Sequence, residues 1–395
     1  MTVHQDHALR GIVRRAATLP FFADKYAGLD LTGDFALADV PVMTREDITA
    51  AMTPVAGDER RPGAFLFTSG GSTAAPKIAW IPIEMHLDAI VPHWRPLRSD
   101  DVLANLAMPG RLWSAHYFYN GLAQRCGADV IGLGHVEQEE WPHWLDFLHR
   151  HGTTALTGTP STLRQVLELA ISTGHPILRR LRTALFFGEP CPDELADLCR
   201  EAGVGLWGNY GSTETWVIGH NSPDCHPRTF HPFPHQHVDI VDGAALVTTT
   251  HPGAVSPVIR YRIGDRVSWT TCPCGRPEPA VAVHGREGAL IKFAGTLVSP
   301  EELVDMACRE STVATAQAAW WDGEPERLEI RVVPAPGADV DTAALRAELV
   351  DSQIDLRFAL RGDDDSFRVV VVEALRMNER TAKTPALLRI GGPAC

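Results

Sequence analysis

The sequence lacks the long apolar runs that a membrane-spanning segment requires. Hydrophobic residues make up 45% of the chain, yet no stretch approaches the roughly 18 consecutive apolar residues needed to cross a bilayer. The N-terminal stretch also lacks the apolar core of a signal peptide, because Arg10, Arg14 and Arg15 interrupt it. We therefore expect a cytoplasmic protein that is neither secreted nor inserted into a membrane.

Positive charge is scarce as well. The chain has 36 Lys and Arg against 49 Asp and Glu, a formal net charge of −13. Nucleic acids and anionic membranes would be repelled by this excess of negative charge, so we expect neither as a partner. A small anion in a local positive pocket remains compatible with it.

Cysteine is present, but without the spacing of a secreted disulfide framework. Eight cysteines are distributed over 395 residues, and only Cys272 and Cys274 form a close pair. A chain of this length suits two domains of unequal size, whose cores need no disulfides.

Short apolar runs alternate with helical patterns from residue 64 onward. The runs predict strands at 64–68, 101–107, 128–132, 153–158 and 183–187, with helices at 139–151 and 161–172. This alternation is typical of an α/β sheet with crossover helices. Near the N-terminus, a helix is predicted over 7–27, and Thr44 with Asp47 predicts a capping box at the start of the next helix.

The pattern changes after residue 223. Two stretches, 238–250 and 254–270, predict antiparallel strands, and a new α+β pattern begins near Gly285. Its predicted elements are strands at 289–292, 316–320, 327–333 and 367–372 and helices at 300–308 and 342–353.

A segment rich in small residues, Ser69-Gly-Gly-Ser-Thr-Ala-Ala-Pro-Lys77, follows the first predicted strand. Its backbone can approach an anion closely, and its hydroxyls can donate to phosphate oxygens. It is not a nucleotide-binding P-loop, because Pro76 and Ile78 flank the lysine where that loop has Gly and Ser or Thr. On these residues alone, phosphate binding and an ordinary surface loop are equally supported.

Three further motifs follow in order: Trp207-Gly-Asn-Tyr-Gly-Ser-Thr-Glu-Thr215, Arg260-Tyr-Arg-Ile-Gly-Asp-Arg266, and a segment that begins with Gly285-Arg286. Together with the first motif, they resemble the adenylate-forming superfamily of acyl-CoA synthetases, luciferases and peptide-synthetase adenylation domains. The phenylacetate-CoA ligase-like branch is the most similar. The resemblance implies a large N-terminal domain, residues 1–285, with α/β sheets, crossover helices and a distorted β-barrel. A small α+β C-terminal domain, residues 286–395, would follow.

The resemblance also implies how ATP is bound. Tyr210 would stack on the adenine, Asp265 would accept the ribose hydroxyls, Glu214 would hold magnesium, and Thr213 would contact the α-phosphate. The remaining implied nucleotide contacts are Ser69, Ser72, Thr73 and Lys77 on the phosphates, Gly188, Glu189 and Pro190 beside the adenine, Asn209 and Gly211 in the same motif as Tyr210, and Arg286 at the hinge.

Two lysines are candidates for catalysis. Relatives place a catalytic lysine near the C-terminus, and Lys383, the only lysine after Lys292, occupies the matching place. The alternative is an ordinary solvated lysine. Lys292 matches a residue that serves the second half-reaction after the small domain rotates about Gly285 and Arg286. A strand-edge lysine facing water is equally supported.

The segment around Cys272 and Cys274 resembles one in which some members of the same branch bind structural zinc. Cys225 and His231 lie upstream at similar spacing and would complete a closed Cys3His shell. The histidine is left open, since His226, His235 and His237 are close in sequence. A pair of buried thiols without metal is the alternative.

The acid pocket is predicted near Trp113, His116, Tyr117, Asn209 and Trp216, although these residues would also suit the core. Aromatic walls favour an aryl or arylacetic acid. The expected function is an ATP-dependent ligase that forms an acyl-adenylate and transfers the acyl group to coenzyme A. Other acceptors (a carrier protein or an amine), an unusual small acid of a biosynthetic pathway, and a homodimer stay open. A nucleotide-binding protein that has lost turnover is the competing class, which Ala74, where relatives have Gly, would favour.

Overall fold

The protein is described by a computed structural model. It covers residues 3–52, 63–68, 78–110, 112–255, 258–286, 291–293, 296–321, 326–352, 356–357, 360, 365–377 and 384–390. The chain divides into a larger unit that ends at His284 and a smaller unit that begins at Gly285. Among the helices in these ranges, none has the length and hydrophobicity of a membrane-spanning segment.

The helices and strands are given in chain order. The helices are α1 (Val3–Ala16), α2 (Pro20–Lys25), α3 (Arg45–Met52), α4 (Leu87–Ile90), α5 (Ala115–Cys126), α6 (Trp141–Arg150), α7 (Pro160–Ser172), α8 (Asp193–Glu201), α9 (Pro300–Ala307) and α10 (Thr342–Ser352). The strands that begin in the larger unit are β1 (Ala64–Thr68), β2 (Ile78–Pro82), β3 (Val102–Asn105), β4 (Asp129–Ile131), β5 (Ala155–Gly158), β6 (Thr183–Phe186), β7 (Gly205–Ser212), β8 (Trp216–His220), β9 (Thr229–Pro232), β10 (Gln236–Val241), β11 (Ala244–Thr249), β12 (Tyr261–Thr270) and β13 (Ala280–Arg286). The strands that follow are β14 (Ile291–Phe293), β15 (Thr296–Val298), β16 (Val313–Trp321), β17 (Arg327–Pro334), β18 (Phe367–Val371) and β19 (Leu387–Ile390).

The single N-terminal helix predicted over 7–27 is wrong, since two helices occupy this stretch. α1 ends at Ala16 and α2 begins at Pro20. Leu19 is extended, with φ −85° and ψ 140°, because a residue before proline disfavours the helical region. Pro20 then takes a first-turn position, where its missing N–H is no loss.

The capping box at the start of α3 is confirmed. The Thr44 amide donates to Asp47 Oδ2 at 2.8 Å, and the Asp47 amide donates to Thr44 Oγ1 at 3.4 Å. Each side chain thus satisfies an amide that the first helical turn leaves unpaired.

The predicted α/β sheet with crossover helices is confirmed. The parallel strands lie in the order β4, β3, β5, β6, β7, and α5, α6, α7 and α8 connect them in chain order. One of the predicted strands, β1, is not part of this sheet. It pairs with β2 in a separate two-stranded antiparallel sheet. Pairing partners depend on tertiary structure, and the apolar run at 64–68 carries no information about them.

The same sheet continues from β7 through antiparallel strands in the order β8, β9, β13, β12, β11, β10. Three strands lie between β7 and β12, which would separate them by about 19 Å in a flat sheet. The Tyr210 hydroxyl on β7 is nevertheless 2.8 Å from Asp265 Oδ2 on β12. Two side chains do not bridge 19 Å, so this half of the sheet curls upon itself. Ile218, Val247 and Ile263 of this half belong to one buried core, in agreement with the distorted barrel.

The smaller unit contains a four-stranded sheet in the order β18, β17, β16, β19. β16 and β17 are antiparallel, and β18 and β19 join them in parallel. Leu303 of α9 and Leu349 of α10 form a core with Ile330 and Phe367, and each of these side chains is fully buried. A small α+β unit was predicted, but its last strand, β19, was not.

Candidate active site and candidate metal centre

Residues predicted to bind the nucleotide base lie at the carboxyl edge of the parallel sheet. Phe186 at the end of β6 pairs with Gly208 of β7, so Gly188 and Tyr210 each lie two residues beyond this pair. Ligands bind beyond the carboxyl ends of the strands in sheets of this type. Gly188 and Pro190 are both exposed. Gly188 has a positive φ of 77°.

Glu189, between them, is held by a neighbouring helix. The Ser161 hydroxyl, near the start of α7, donates to Glu189 Oε2 at 2.8 Å. This contact orders the segment that follows β6 and keeps a negative charge at the edge of the sheet.

Tyr210 is positioned by an aromatic neighbour and by two glycines. Its ring stacks on Phe230 of β9, with centroids 5.5 Å apart and planes 28° apart. A Cβ at Gly208 would lie 2.2 Å from the Phe186 ring, and one at Gly211 would lie 2.2 Å from the Trp216 carbonyl oxygen. Both glycines are therefore required by close approach. Phe230 was not predicted from the sequence, because it belongs to none of the motifs.

Glu214 lies in the connection between β7 and β8. Ser212 pairs with Trp216, so Thr213, Glu214 and Thr215 form a three-residue loop, which the 2.9 Å contact between Ser212 Oγ and Thr215 Oγ1 braces. Glu214 is 3% exposed. Thr213 is half-buried in the same loop.

Two tyrosine hydroxyls donate to the two predicted carboxylates. Tyr261 donates to Glu214 Oε1 at 2.8 Å, and Tyr210 donates to Asp265 Oδ2 at 2.8 Å. Asp265 is 8% exposed. Each of these buried carboxylates thus accepts a hydrogen bond from a neutral donor. The curl of the sheet thereby brings Tyr210, Glu214 and Asp265 together. Tyr261 belongs to the motif at 260–266, but the residue pattern alone assigns no role to its side chain.

The residues predicted to bind the acid divide into core and half-buried positions. Trp216 is 5% exposed and packs in the core: its ring is stacked 5.9 Å from Phe67 of β1, and its Nε1 donates to the Met85 carbonyl oxygen at 2.9 Å. Tyr117 is half-buried, with its ring 6.0 Å from that of Phe67.

The other two candidates are also half-buried. His116 Nδ1 lies 2.8 Å from the Ala107 carbonyl oxygen, and Trp113 follows Leu112, whose carbonyl accepts from the Thr68 amide at the end of β1. Asn209, on β7, is half-buried and pairs with His220.

The four predicted metal ligands come together. Donor atoms of Cys225, His231, Cys272 and Cys274 all lie within 4.8 Å of one another, the only such group found in the part of the chain that the structure describes. His231 Nε2 is 3.2 Å from Cys274 Sγ. Burial raises the pKa of the Cys272 thiol. Three sulfurs and one imidazole suit a tetrahedral zinc site, and a bound cation would favour the thiolates.

The neighbouring histidines lie elsewhere. His226 Nε2 is 3.4 Å from Asp193 Oδ1, and His237 Nε2 is 3.0 Å from Asp239 Oδ1. The His235 ring stacks on Phe233. His231 is thus the histidine that the fold brings to the three cysteines.

At the start of the smaller unit, Gly285 has φ 115°, and a Cβ there would lie 2.4 Å from Glu301 Oε2. The same oxygen accepts from the Arg286 amide at 3.0 Å. Lys292 lies on β14, but its side chain is outside the described residues. Ser69, Ser72, Thr73, Lys77 and Lys383 lie entirely outside them.

Comparisons with known proteins identify one family. The model of a family described as AMP-binding enzyme matches residues 23–256. No curated protein matches the chain.

Solved structures share the fold. A 2-hydroxyisobutyryl-CoA ligase in the postadenylation state, in complex with 2-HIB-AMP, is 17% identical with a TM-score of 0.76, over 98% of this chain and 90% of that one. Anthranilate CoA ligase AuaEII in complex with anthranoyl-AMP is 18% identical with a TM-score of 0.61, over 83% and 66%. The amide bond synthetase McbA from Marinactinospora thermotolerans is 20% identical with a TM-score of 0.58, over 80% and 67%.

Proposed function

Because the chain belongs to the AMP-binding enzyme family, we propose that it is an ATP-dependent ligase that activates a small carboxylic acid as its acyl-adenylate and transfers the acyl group to coenzyme A. The observation that carries this proposal is the grouping of Tyr210, Glu214 and Asp265 at one site. These three side chains offer a stacking surface, a metal-binding carboxylate and an acceptor for ribose hydroxyls. ATP and coenzyme A are cytoplasmic co-substrates, which favours that compartment.

The first half-reaction joins the acid to the α-phosphorus. The substrate carboxylate oxygen attacks this atom, the bond to the bridging oxygen breaks, and pyrophosphate leaves. Two anions must approach each other, so the site has to offset negative charge. The buried carboxylate of Glu214 would hold the magnesium bound with ATP, since this ion prefers oxygen ligands, and the ion would neutralise part of the phosphate charge. Lys383 and Lys77 are the proposed cationic side chains, with Ser69, Ser72 and Thr73 as donors to the phosphates.

The nucleoside would be held between the two halves of the curled sheet. The Tyr210 ring, which Phe230 supports from one side, is the proposed stacking surface for adenine, beside Gly188, Glu189 and Pro190. Asp265 accepts the Tyr210 hydroxyl, and its two-oxygen carboxylate is the proposed acceptor for the ribose hydroxyls.

The acyl acceptor is proposed from the similar structures. Both 2-hydroxyisobutyryl-CoA ligase and anthranilate CoA ligase are described with an acyl-AMP bound, and an open conformation of the former is described with coenzyme A. This supports coenzyme A. The likeness to an amide bond synthetase supports an amine as the second candidate. The half-buried Trp113, His116 and Tyr117 favour a flat aryl or arylacetic acid.

We further propose structural zinc at Cys225, His231, Cys272 and Cys274. All four coordination positions would be filled by protein, which leaves none for substrate. The ligands come from β9 and from the connections that precede β9 and β13, so the ion would join these strands of the barrel. This ligand set also supports the phenylacetate-CoA ligase-like branch.

Exchange of labelled pyrophosphate into ATP over a panel of acids tests the proposal. Exchange that depends on one class of acid is expected, with aryl acids ahead of short aliphatic ones. Adding coenzyme A should then yield a thioester and AMP. Nucleotide binding without exchange by any acid would instead support a protein that has lost turnover.

A further inference from the structure

Glu214 is held by a side chain from a distant part of the chain. The Tyr261 hydroxyl donates to Glu214 Oε1 at 2.8 Å, although 47 residues separate the two in sequence. Tyr261 is 1% exposed and Glu214 is 3% exposed. A hydrogen bond between two groups buried to this degree is protected from competition with water, so it constrains the carboxylate.

The backbone of Tyr261 is fixed on both sides. On one side it pairs with Val247 of β11. On the other, Met43 forms a parallel bridge to it: the Met43 amide donates to the Arg260 carbonyl oxygen at 3.1 Å, and the Arg262 amide donates to the Met43 carbonyl oxygen at 3.0 Å. Because its backbone is paired on both sides, Tyr261 has little conformational freedom, and its ring is attached at a fixed position.

Arg260 anchors the same stretch to the N-terminal segment. Its Nη1 donates to the carbonyl oxygens of Leu37 and Val40 at 2.9 and 2.6 Å, and the residue is 6% exposed. Its φ is 48°, a left-handed conformation that costs free energy for a residue with a Cβ. Such conformations persist where the surroundings over-determine them, often at functional sites.

Resting on the proposed function, we propose that Tyr261 is a positioning residue that orients the Glu214 carboxylate toward the divalent cation bound with the nucleotide. A phenol suits this role because it donates a hydrogen bond without neutralising the charge that attracts the cation. Hydrogen-bond partners of metal-ligating carboxylates orient the ligand, and their loss typically weakens metal binding by about 10- to 100-fold.

The experiment measures metal binding apart from turnover. Mn²⁺ is titrated into wild-type, Tyr261→Phe and Tyr26→Phe proteins saturated with a non-hydrolysable ATP analogue, and bound Mn²⁺ is followed by electron paramagnetic resonance. Tyr26 is a matched control: it is 3% exposed, belongs to the same buried core, and its hydroxyl has no hydrogen-bond partner among the described residues. We expect about 10- to 100-fold weaker Mn²⁺ binding for Tyr261→Phe and none of this loss for Tyr26→Phe.

A second background separates positioning from general damage. In a Glu214→Gln protein, Tyr261→Phe should cause no further loss of Mn²⁺ affinity, because the carboxylate that it orients is gone. The inference is overturned if Tyr261→Phe weakens Mn²⁺ binding equally in the wild-type and Glu214→Gln backgrounds. It is also overturned if the Tyr261→Phe single variant binds Mn²⁺ as tightly as the wild type. If the wild type itself binds no Mn²⁺–nucleotide complex, the proposed function fails instead.

Discussion

The hydroxyl of Tyr210 lies 2.8 Å from Oδ2 of Asp265, across a separation of 55 residues in sequence. A second contact, between Tyr261 and Glu214, runs in the opposite direction. In the first contact the tyrosine comes from β7, and in the second it comes from β12. β7 also leads directly into the loop that carries Glu214, and β12 carries Asp265. These contacts join two distant strands of the curled sheet and hold both carboxylates at one site.

Asp265→Asn should impair use of the nucleotide. An amide has one acceptor oxygen and cannot take the ribose hydroxyls and the Tyr210 hydroxyl as a carboxylate does. Hydrogen bonds to charged groups contribute about 1.5–3 kcal/mol, so we expect kcat/KM for ATP to fall about 10- to 100-fold in pyrophosphate exchange. Discrimination against 2′-deoxyATP should fall as well. If discrimination against 2′-deoxyATP is unchanged, Asp265 does not contact the ribose. Tyr210→Phe is the control, because it removes the hydroxyl that Asp265 accepts and keeps the stacking ring.

Lys383→Ala should abolish adenylate formation and leave ATP binding intact, because the lysine is proposed to offset charge that develops in the transition state. Lys292→Ala is the matched variant. It should retain acid-dependent pyrophosphate exchange and lose thioester formation, which needs coenzyme A. Exchange at the wild-type rate in Lys383→Ala would remove that residue from the mechanism.

Protein purified without chelator should contain one zinc per chain. Cys272→Ser should lose the metal and unfold at a lower temperature, because metal binding contributes to folding free energy when the site forms only in the folded state. Cys308 is a half-buried cysteine outside the cluster. The Cys308→Ser protein should therefore keep the metal and the wild-type unfolding temperature. Elemental analysis and thermal unfolding measure these outcomes; full-length protein without stoichiometric metal would contradict the zinc proposal.

Stability should fall as the pH drops below about 6.5, the ordinary pKa of histidine. Burial lowers the pKa of His86 to about 3 and that of His235 to about 4. His251 opposes the protonation of both; His235 also opposes that of His86, and His93 that of His235, whereas Asp88 favours the protonation of both. The unfolded chain therefore takes up protons before the folded one does, and stability is lost between pH 6.5 and the folded-state pKa values.

Between pH 7 and pH 5 we expect the two histidines together to reduce the free energy of unfolding by about 3 to 4 kcal/mol. His235→Phe should show a smaller reduction in urea titrations at the two pH values, whereas His143→Gln, at an exposed position, should follow the wild type. Equal pH dependence in all three proteins would contradict the assignment.

Gln317→Leu should destabilise the smaller unit. The side chain is fully buried on β16, where Nε2 donates to the carbonyl oxygens of Arg376 and Pro385 at 2.9 and 2.8 Å and Oε1 accepts from the Arg376 amide at 3.1 Å. Leucine would leave these backbone groups without that partner, at a cost of about 2 to 4 kcal/mol. Urea unfolding measures the loss; Gln124→Leu, an exposed position, should change little.

Local patterns predicted most of the helices and strands. They failed where a single residue set the bounds of a helix or where a distant segment was the pairing partner of a strand. Apolar runs located β3, β5 and β6 to within a few residues because a buried strand needs side chains that are apolar on both faces. Pro20 divided the N-terminal helix against its apolar periodicity, since proline restricts the residue before it. The partner of β1 could not be predicted, because strand pairing joins segments that carry no local mark of each other.

The sequence by itself determined which chemistry is present and in what order. The carboxylates of Glu214 and Asp265, the ring of Tyr210 and the cysteine pair at 272 and 274 belong to short motifs, in which residue type and spacing are local properties. Only the tertiary structure decided that Tyr261 donates to Glu214, that Phe230 covers one face of Tyr210, and that His231 is the histidine beside the cysteines. These are distances between segments far apart in the chain, and the curl of the sheet sets them.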